Sequence, residues 1–194
     1  MADALRAWWG DGARPPVRVL GFAPTLPTVA MQTRRYDFIY VADGEAHKNH
    51  RRLLEAWSLL AEEGIRPSLA LTLSERDSHL RNAIEATMRA QSLRIEFLPK
   101  LSHDEVLIAY AQSGALVFPS LTESYGLPLV EAASLGLPII ASERDFVREV
   151  CEPAQTFDPE SPRSIARAVR RHLGLDAGPA HPATAAEFLR VVFP

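Results

Sequence analysis

The sequence predicts an α/β protein, a doubly wound parallel sheet with helices on both faces. Three observations carry this expectation. Short apolar runs alternate with amphipathic helical stretches through most of the 194 residues. The inner runs, Leu69-Ala-Leu-Thr-Leu73 and Ala115-Leu-Val-Phe118 among them, are nearly pure apolar, as strands covered on both faces must be. Cap and stop signals fall at the joints between runs.

Taken in order, residues 1–35 read as a linker, because Pro15, Pro16, Pro24 and Pro27 break any sustained helix. Residues 36–41 form a strand. Asn49 is placed to cap a helix that carries Leu53, Leu54, Trp57 and Leu60 on one face and ends at Gly64 and Pro67. A strand at 69–73, a helix at 76–91 and a strand at 94–98 follow. Ser102 and Glu105 have capping-box spacing and open a helix to about residue 113. A strand at 115–118, a helix at 127–135, a strand at 138–141, a short helical piece at 144–150 and a strand at 155–157 come next. Ser161, with Pro162 behind it, opens a helix to Leu173. Residues 36–173 thus form one α/β domain. Residues 174–194 are a Gly/Pro-containing linker and a short helix whose Thr184 and Glu187 again have capping-box spacing.

Composition narrows the function classes. Lys and Arg number 21 against 24 Asp and Glu, a net charge of −3, without the basic excess of a nucleic-acid binder. The single cysteine, Cys151, cannot form an internal disulfide and fits a reducing compartment. The first residues lack a signal peptide's pattern, and no apolar run approaches the ~20 residues of a membrane span. A cytoplasmic protein is expected, touching membrane at most peripherally at its inner face. Trp8 and Trp9 are expected to pack on the domain or on a partner, with membrane contact as the alternative.

In a doubly wound sheet, ligands sit at the carboxyl ends of strands. Two loops there carry unusual residues. The first, Val41-Ala-Asp-Gly-Glu-Ala-His-Lys-Asn-His50, puts Lys48 at a helix start, where a cation is poorly placed for helix stability but well placed beside a bound anion. It is not a Walker A loop. The second, Pro119-Ser-Leu-Thr-Glu-Ser-Tyr-Gly-Leu-Pro-Leu-Val-Glu131, supplies Gly126 for close backbone approach and N–H groups around 125–129 as an anion cradle. Glu123 and Glu131 flank that cradle. Glu131, expected in the first turn of its helix, needs a polar partner such as a sugar diol. His47 and His50 are three residues apart with no carboxylate or cysteine partner evident, so no metal site is expected. No D-x-D metal motif occurs.

The pair Glu123 and Glu131, seven residues between them, with Tyr125-Gly126-Leu127-Pro128 inside and Gly136-Leu-Pro-Ile-Ile-Ala-Ser142 after, resembles the C-terminal domain of retaining glycosyltransferase family 4, of GT-B fold. Lys48-Asn49 resembles that family's diphosphate lysine. The likeness runs over about 36–173. It implies a Rossmann-like domain that binds a nucleoside diphosphate sugar as substrate, without a separate cofactor and without metal, for polysaccharide or glycoconjugate synthesis. By the resemblance Glu123 contacts the donor sugar and Lys48 stabilises the leaving diphosphate. Ser124, Tyr125, Gly126 and Leu127 form the loop around sugar and phosphates. Glu131 binds the ribose hydroxyls, and Leu101 lies against the base.

There are two departures. The family has Gly-Arg after the first strand; here stand Ala42-Asp43. An aspartate about 4 Å from a phosphate charge costs on the order of 4 kcal/mol at an effective dielectric of about 20. Asp43 is therefore expected to point away, with His47, Arg51 or Arg52 as substitutes for the arginine. Second, GT-B enzymes close over the donor with an N-terminal domain that binds the acceptor, and residues 1–35 cannot build one. A fragment, a separately encoded partner chain and a non-catalytic nucleotide-sugar-binding or scaffold subunit are the three readings. Base, sugar, acceptor (glycan, lipid-linked or other) and oligomeric state stay open.

Overall fold

A computed structural model describes Trp8, residues 32–176 and residues 184–193. Most of the expected linker at 1–35, including Trp9, and the stretch 177–183 lie outside the described residues. Trp8 is exposed.

The strands are β1 (Tyr36–Tyr40), β2 (Leu69–Leu71), β3 (Ile95–Phe97), β4 (Ser113–Phe118), β5 (Ile139–Ser142) and β6 (Gln155–Phe157). The helices are α1 (His50–Glu62), α2 (Ser78–Gln91), α3 (His103–Ala111), α4 (Leu127–Ser134), α5 (Asp145–Arg148), α6 (Pro162–His172) and α7 (Ala185–Val192). The strands form a single sheet in the order β3-β2-β1-β4-β5-β6, and every pairing is parallel. This is the doubly wound, Rossmann-like arrangement. Right-handed crossovers put the connections on opposite faces once the order reverses. The reversal falls between β1 and β4, so the loops after those two strands flank the switch-point crevice.

Burial explains why the inner strands are mostly apolar. Phe38 of β1, opposite Leu69 of β2 and Ala115 of β4, is fully buried, as are Leu116 and Val117. Trp57 of α1 packs edge-on against Phe38 at 5.6 Å and donates its indole N–H to Pro67 O at 3.1 Å. That bond satisfies a buried donor while the chain leaves α1 for β2. At the start of β1, Asp37 accepts from Ser68 N–H and Oγ at 2.8 and 2.9 Å, which sets the β1–β2 register.

Several joints differ from expectation. The strand after α1 is shorter than 69–73. The helix expected from 76 begins as a 3-10 turn over Glu75–Asp77, closed by a capping box between Ser74 and Asp77, before α2 proper. The helix opened by Ser102 ends at Ala111, because Ser113 already belongs to β4. The capping boxes at Ser102 and Thr184 form as expected.

Candidate active site

The last residue of β1 organises the first loop. Tyr40 is fully buried. Its hydroxyl donates to Lys48 O at 2.7 Å and lies 3.0 Å from Ser120 Oγ. Burial raises the Tyr40 pKa far above the ordinary tyrosine range, so the group stays a neutral donor. Asn49 adopts the left-handed conformation at φ 61°, which asparagine tolerates better than most residues. Its side chain does not cap α1. The amide donates instead to Pro119 O at 3.0 Å and Pro159 O at 2.8 Å. Leu121 N–H donates to His47 O at 2.8 Å. The loops after β1 and β4 are thereby sewn into one surface.

On that surface Lys48 Nζ lies 2.9 Å from each oxygen of Glu123. The two side chains are only 18 % and 8 % exposed. Lys48 is the last residue of a 3-10 turn over Ala46–Lys48, not the first of the helix, so its own backbone is committed to the turn. Next to it His50 opens α1, 4 % exposed, with its ring 4.8 Å from that of Tyr40. Burial lowers the His50 pKa to about 4, and neither ring nitrogen has a hydrogen-bond partner.

Around the pair, Asp43 Oδ1 accepts from Glu45 N–H at 3.2 Å, so the carboxylate closes its own turn. Gly44 donates to Asp77 Oδ1 at 3.2 Å, and a Cβ there would meet that oxygen at 2.4 Å. The residues expected to replace the family arginine are differently engaged. Arg51 is 90 % exposed and pairs with Glu55. Arg52 donates to Asn49 Oδ1 at 3.3 Å. His47 Nδ1 lies 3.3 Å from Glu45 Oε2.

In the second loop Gly126 has φ 82° and precedes α4. A Cβ there would be strained and would sit 3.1 Å from Leu129 Cδ1. The backbone cradle is narrower than the expected 125–129. Pro128 has no N–H, and Leu129 N–H already donates to Gly126 O at 2.9 Å. Ser124 and Leu127 are exposed and Tyr125 is half-buried. Glu131 is the fifth residue of α4, at the start of its second turn rather than in the first, and 7 % exposed. Tyr110 donates its hydroxyl to Glu131 Oε2 at 3.3 Å, and His103 Nδ1 lies 3.5 Å from Oε1. Burial raises the Glu131 pKa, against the opposing pull of His103 and Tyr110. Leu101, half-buried, lines a cavity of about 300 Å³ with Val41, Ala42, Thr72 and Lys100.

The fold thus brings Lys48 and Glu123 into direct contact and sets Leu101 beside the first loop, while Glu131 is tied to α3. Sequence reasoning missed Tyr40, Ser120, Tyr110 and His103. The signal available was a tyrosine among otherwise apolar neighbours, a polar tip that must find a partner when buried. A wider groove of about 620 Å³, lined by Glu55, Ser58, Leu59, Gln91, Glu160 and Arg163 among others, is bounded by α1, the end of α2, and the loop after β6 with the start of α6. No strand residue lines it and it lies away from the reversal of strand order, so the switch-point loops are the stronger candidate. Among the described residues no group of three or more His, Cys, Asp or Glu could hold a metal ion. No described helix is long and apolar enough to cross a membrane.

The family model described as Glycosyl transferases group 1 matches residues 28–186. Among curated proteins, the chain is 34 % identical to the serotype-specific mannosyltransferase WbdA of Escherichia coli, over 75 % of this chain and 18 % of that protein. It is 31 % identical to O-antigen chain mannosyltransferase B of Escherichia coli, over 72 % of this chain and 37 % of that protein. It therefore spans well under half the length of these relatives. Among solved structures, the C-terminal domain of a group 1 family glycosyl transferase (LpcC) from Francisella tularensis matches at TM-score 0.62 and 18 % identity, over 73 % of this chain and 77 % of that one. Anabaena HepE in complex with UDP and glucose matches at TM-score 0.59 and 17 % identity, over 71 % of this chain and 39 % of that one. At those identities the structural likeness bears on the fold alone, which is that of GT-B glycosyltransferases.

Proposed function

We infer, from the premise that the chain belongs to the group 1 glycosyl transferases, that it is the donor-binding half of a retaining enzyme that moves a hexose from a nucleoside diphosphate sugar. Mannose is the proposed sugar, supported by the mannosyltransferase relatives. The observation that carries the reading is the part-buried Lys48–Glu123 pair at the switch point. In the reaction the bond from the sugar's anomeric carbon to the diphosphate breaks, and an acceptor hydroxyl oxygen bonds to the same face of that carbon while its proton passes to the leaving diphosphate oxygen. Charge grows on the leaving phosphate oxygen, where Lys48 and the start of α1 oppose it. Glu123, next to that cation, lies where the sugar ring must sit and accepts from its hydroxyls. Ser124, Tyr125, Gly126 and Leu127 border sugar and phosphates, Glu131 accepts from the ribose, and Leu101 faces the base. The acceptor and the second wall of the cleft come from an N-terminal domain or a partner chain.

One observation favours a second reading, a nucleotide-sugar-binding or scaffold subunit without catalysis. Asp43 occupies the position of the family's diphosphate arginine, and His47, Arg51 and Arg52 are engaged with Glu45, Glu55 and Asn49. The deciding experiment joins this chain to the N-terminal half of an O-antigen mannosyltransferase and follows transfer from radiolabelled GDP-mannose. Transfer that vanishes in Glu123→Ala supports the enzyme. Donor binding without transfer in any such pairing supports the scaffold.

A further inference from the structure

We propose that Tyr110 is a positioning residue for Glu131, holding its carboxylate, together with His103, in the orientation that presents its remaining lone pairs to the ribose of the donor. This rests on the reading of Glu131 as the ribose carboxylate.

Tyr110 lies at the buried end of α3 and is fully enclosed. A buried phenol must find an acceptor, and its hydroxyl is directed at Glu131 Oε2. Core packing alone does not call for that hydroxyl. Its helix neighbours Leu107, Ala109 and Ala111 are buried and apolar, and phenylalanine would fill the same space. Burying a carboxylate and a phenol together costs desolvation of both, so the arrangement is poorly explained by stability. His103 stands seven residues earlier on the same helix, two turns away, at its exposed end. Helix side chains lean toward the N-terminus, which carries the long Tyr110 ring back toward His103. The two groups meet different oxygens, Tyr110 at Oε2 and His103 at Oε1. A carboxylate oxygen offers about two lone-pair directions. Tyr110 uses one direction on Oε2, while His103 flanks Oε1 at 3.5 Å, so acceptor capacity is left on both oxygens for a vicinal diol. Glu131 retains 7 % exposure, and the proposal puts the ribose on that side.

The test compares GDP and UDP with their 2′,3′-dideoxy counterparts on the full chain by calorimetry, in wild type, Tyr110→Phe, Glu131→Gln and the double variant. Wild type is expected to prefer the ribose forms. Tyr110→Phe is expected to narrow that preference about three- to ten-fold, less than the loss of a charge-assisted bond because the ribose bonds themselves remain, while dideoxy affinity is unchanged. In the Glu131→Gln background, Tyr110→Phe is expected to narrow it no further. A ligand-free arm follows Glu131 by carboxyl-carbon NMR. Loss of the Tyr110 donor is expected to move its titration upward. No ribose preference in wild type, or no binding, would remove the ribose reading and this inference with it. An intact preference in Tyr110→Phe, or an unmoved Glu131 titration, would remove the positioning role alone. Equal losses for ribose and dideoxy forms would mark Tyr110 as merely structural.

Discussion

Lys48 cannot serve Glu123 and a diphosphate equally. With Nζ 2.9 Å from both carboxylate oxygens, two of its three donors face Glu123, and the carboxylate offsets part of the positive charge that a phosphate would meet. Glu123→Gln removes the negative competitor while keeping the shape, and is expected to raise GDP affinity several-fold. Lys48→Ala is expected to lower it by about ten-fold or more, since a charge-assisted bond is worth ~1.5–3 kcal/mol, and to leave guanosine unaffected. Isothermal calorimetry on the three proteins checks both directions. A loss of GDP affinity in Glu123→Gln would mean that the pair does not compete with phosphate. His50 makes a separate claim. Its pKa is lowered from 6.5 to about 4 by burial, so the unfolded chain binds the extra proton between those values. Stability is then full above pH 6.5 and is lost as pH falls toward 4. The gap corresponds to on the order of 3 kcal/mol. His50→Phe is expected to flatten that acid limb in urea melts at stepped pH, and an unchanged limb would clear His50.

The element most exposed to mutation is the clasp between the two loops. Asn49→Ala deletes two buried amide bonds, to Pro119 O and Pro159 O, and puts alanine at φ 61°. The expected cost is about 2–4 kcal/mol. Asn49→Gly restores the backbone freedom but not the bonds, and is expected to recover only about 1 kcal/mol of that. Chemical denaturation of the three proteins separates the two contributions. Asn49 also marks where sequence reading stopped. An asparagine before an apolar-periodic helix looks like a cap whether its side chain turns back to a local N–H or reaches across to a distant carbonyl. The capping boxes at Ser102 and Thr184 were legible because both partners are three residues apart. Tyr40 to Ser120, Tyr110 to Glu131 and Lys48 to Glu123 join residues 80, 21 and 75 positions apart. The last of these was reached through motif and helix-start chemistry, but its contact was not, since no local pattern encodes it.

At the scale of the molecule, alternating apolar runs and helix caps were enough for the doubly wound sheet, and the order β3-β2-β1-β4-β5-β6 puts both loops of interest at the reversal. The site lies at the carboxyl ends of the central strands β1 and β4 of one domain, and GT-B chemistry holds donor and acceptor between two domains. Preorganisation of that kind supplies ~7–11 kcal/mol of a barrier. The chain alone is therefore expected to bind a nucleoside diphosphate sugar at roughly 0.1–1 mM, or about 4–5.5 kcal/mol, and to form no glycoside with any acceptor. Incubation with labelled GDP-mannose and an acceptor panel checks this, and enzyme-dependent product from the chain by itself would overturn it.

Whether the switch-point loops are the donor site is best settled by amide NMR on the isotope-labelled chain, titrated with GDP-mannose and, separately, UDP-glucose. The account predicts that at least one of them shifts residues 41–49, 101–106 and 123–131 together, along one saturable curve. It also predicts that Lys48→Ala suppresses those shifts and that the groove beside Glu55 and Ser161 stays unmoved. Saturable shifts confined to that groove, or no shift anywhere at ~10 mM donor, well beyond the expected affinity, would contradict it.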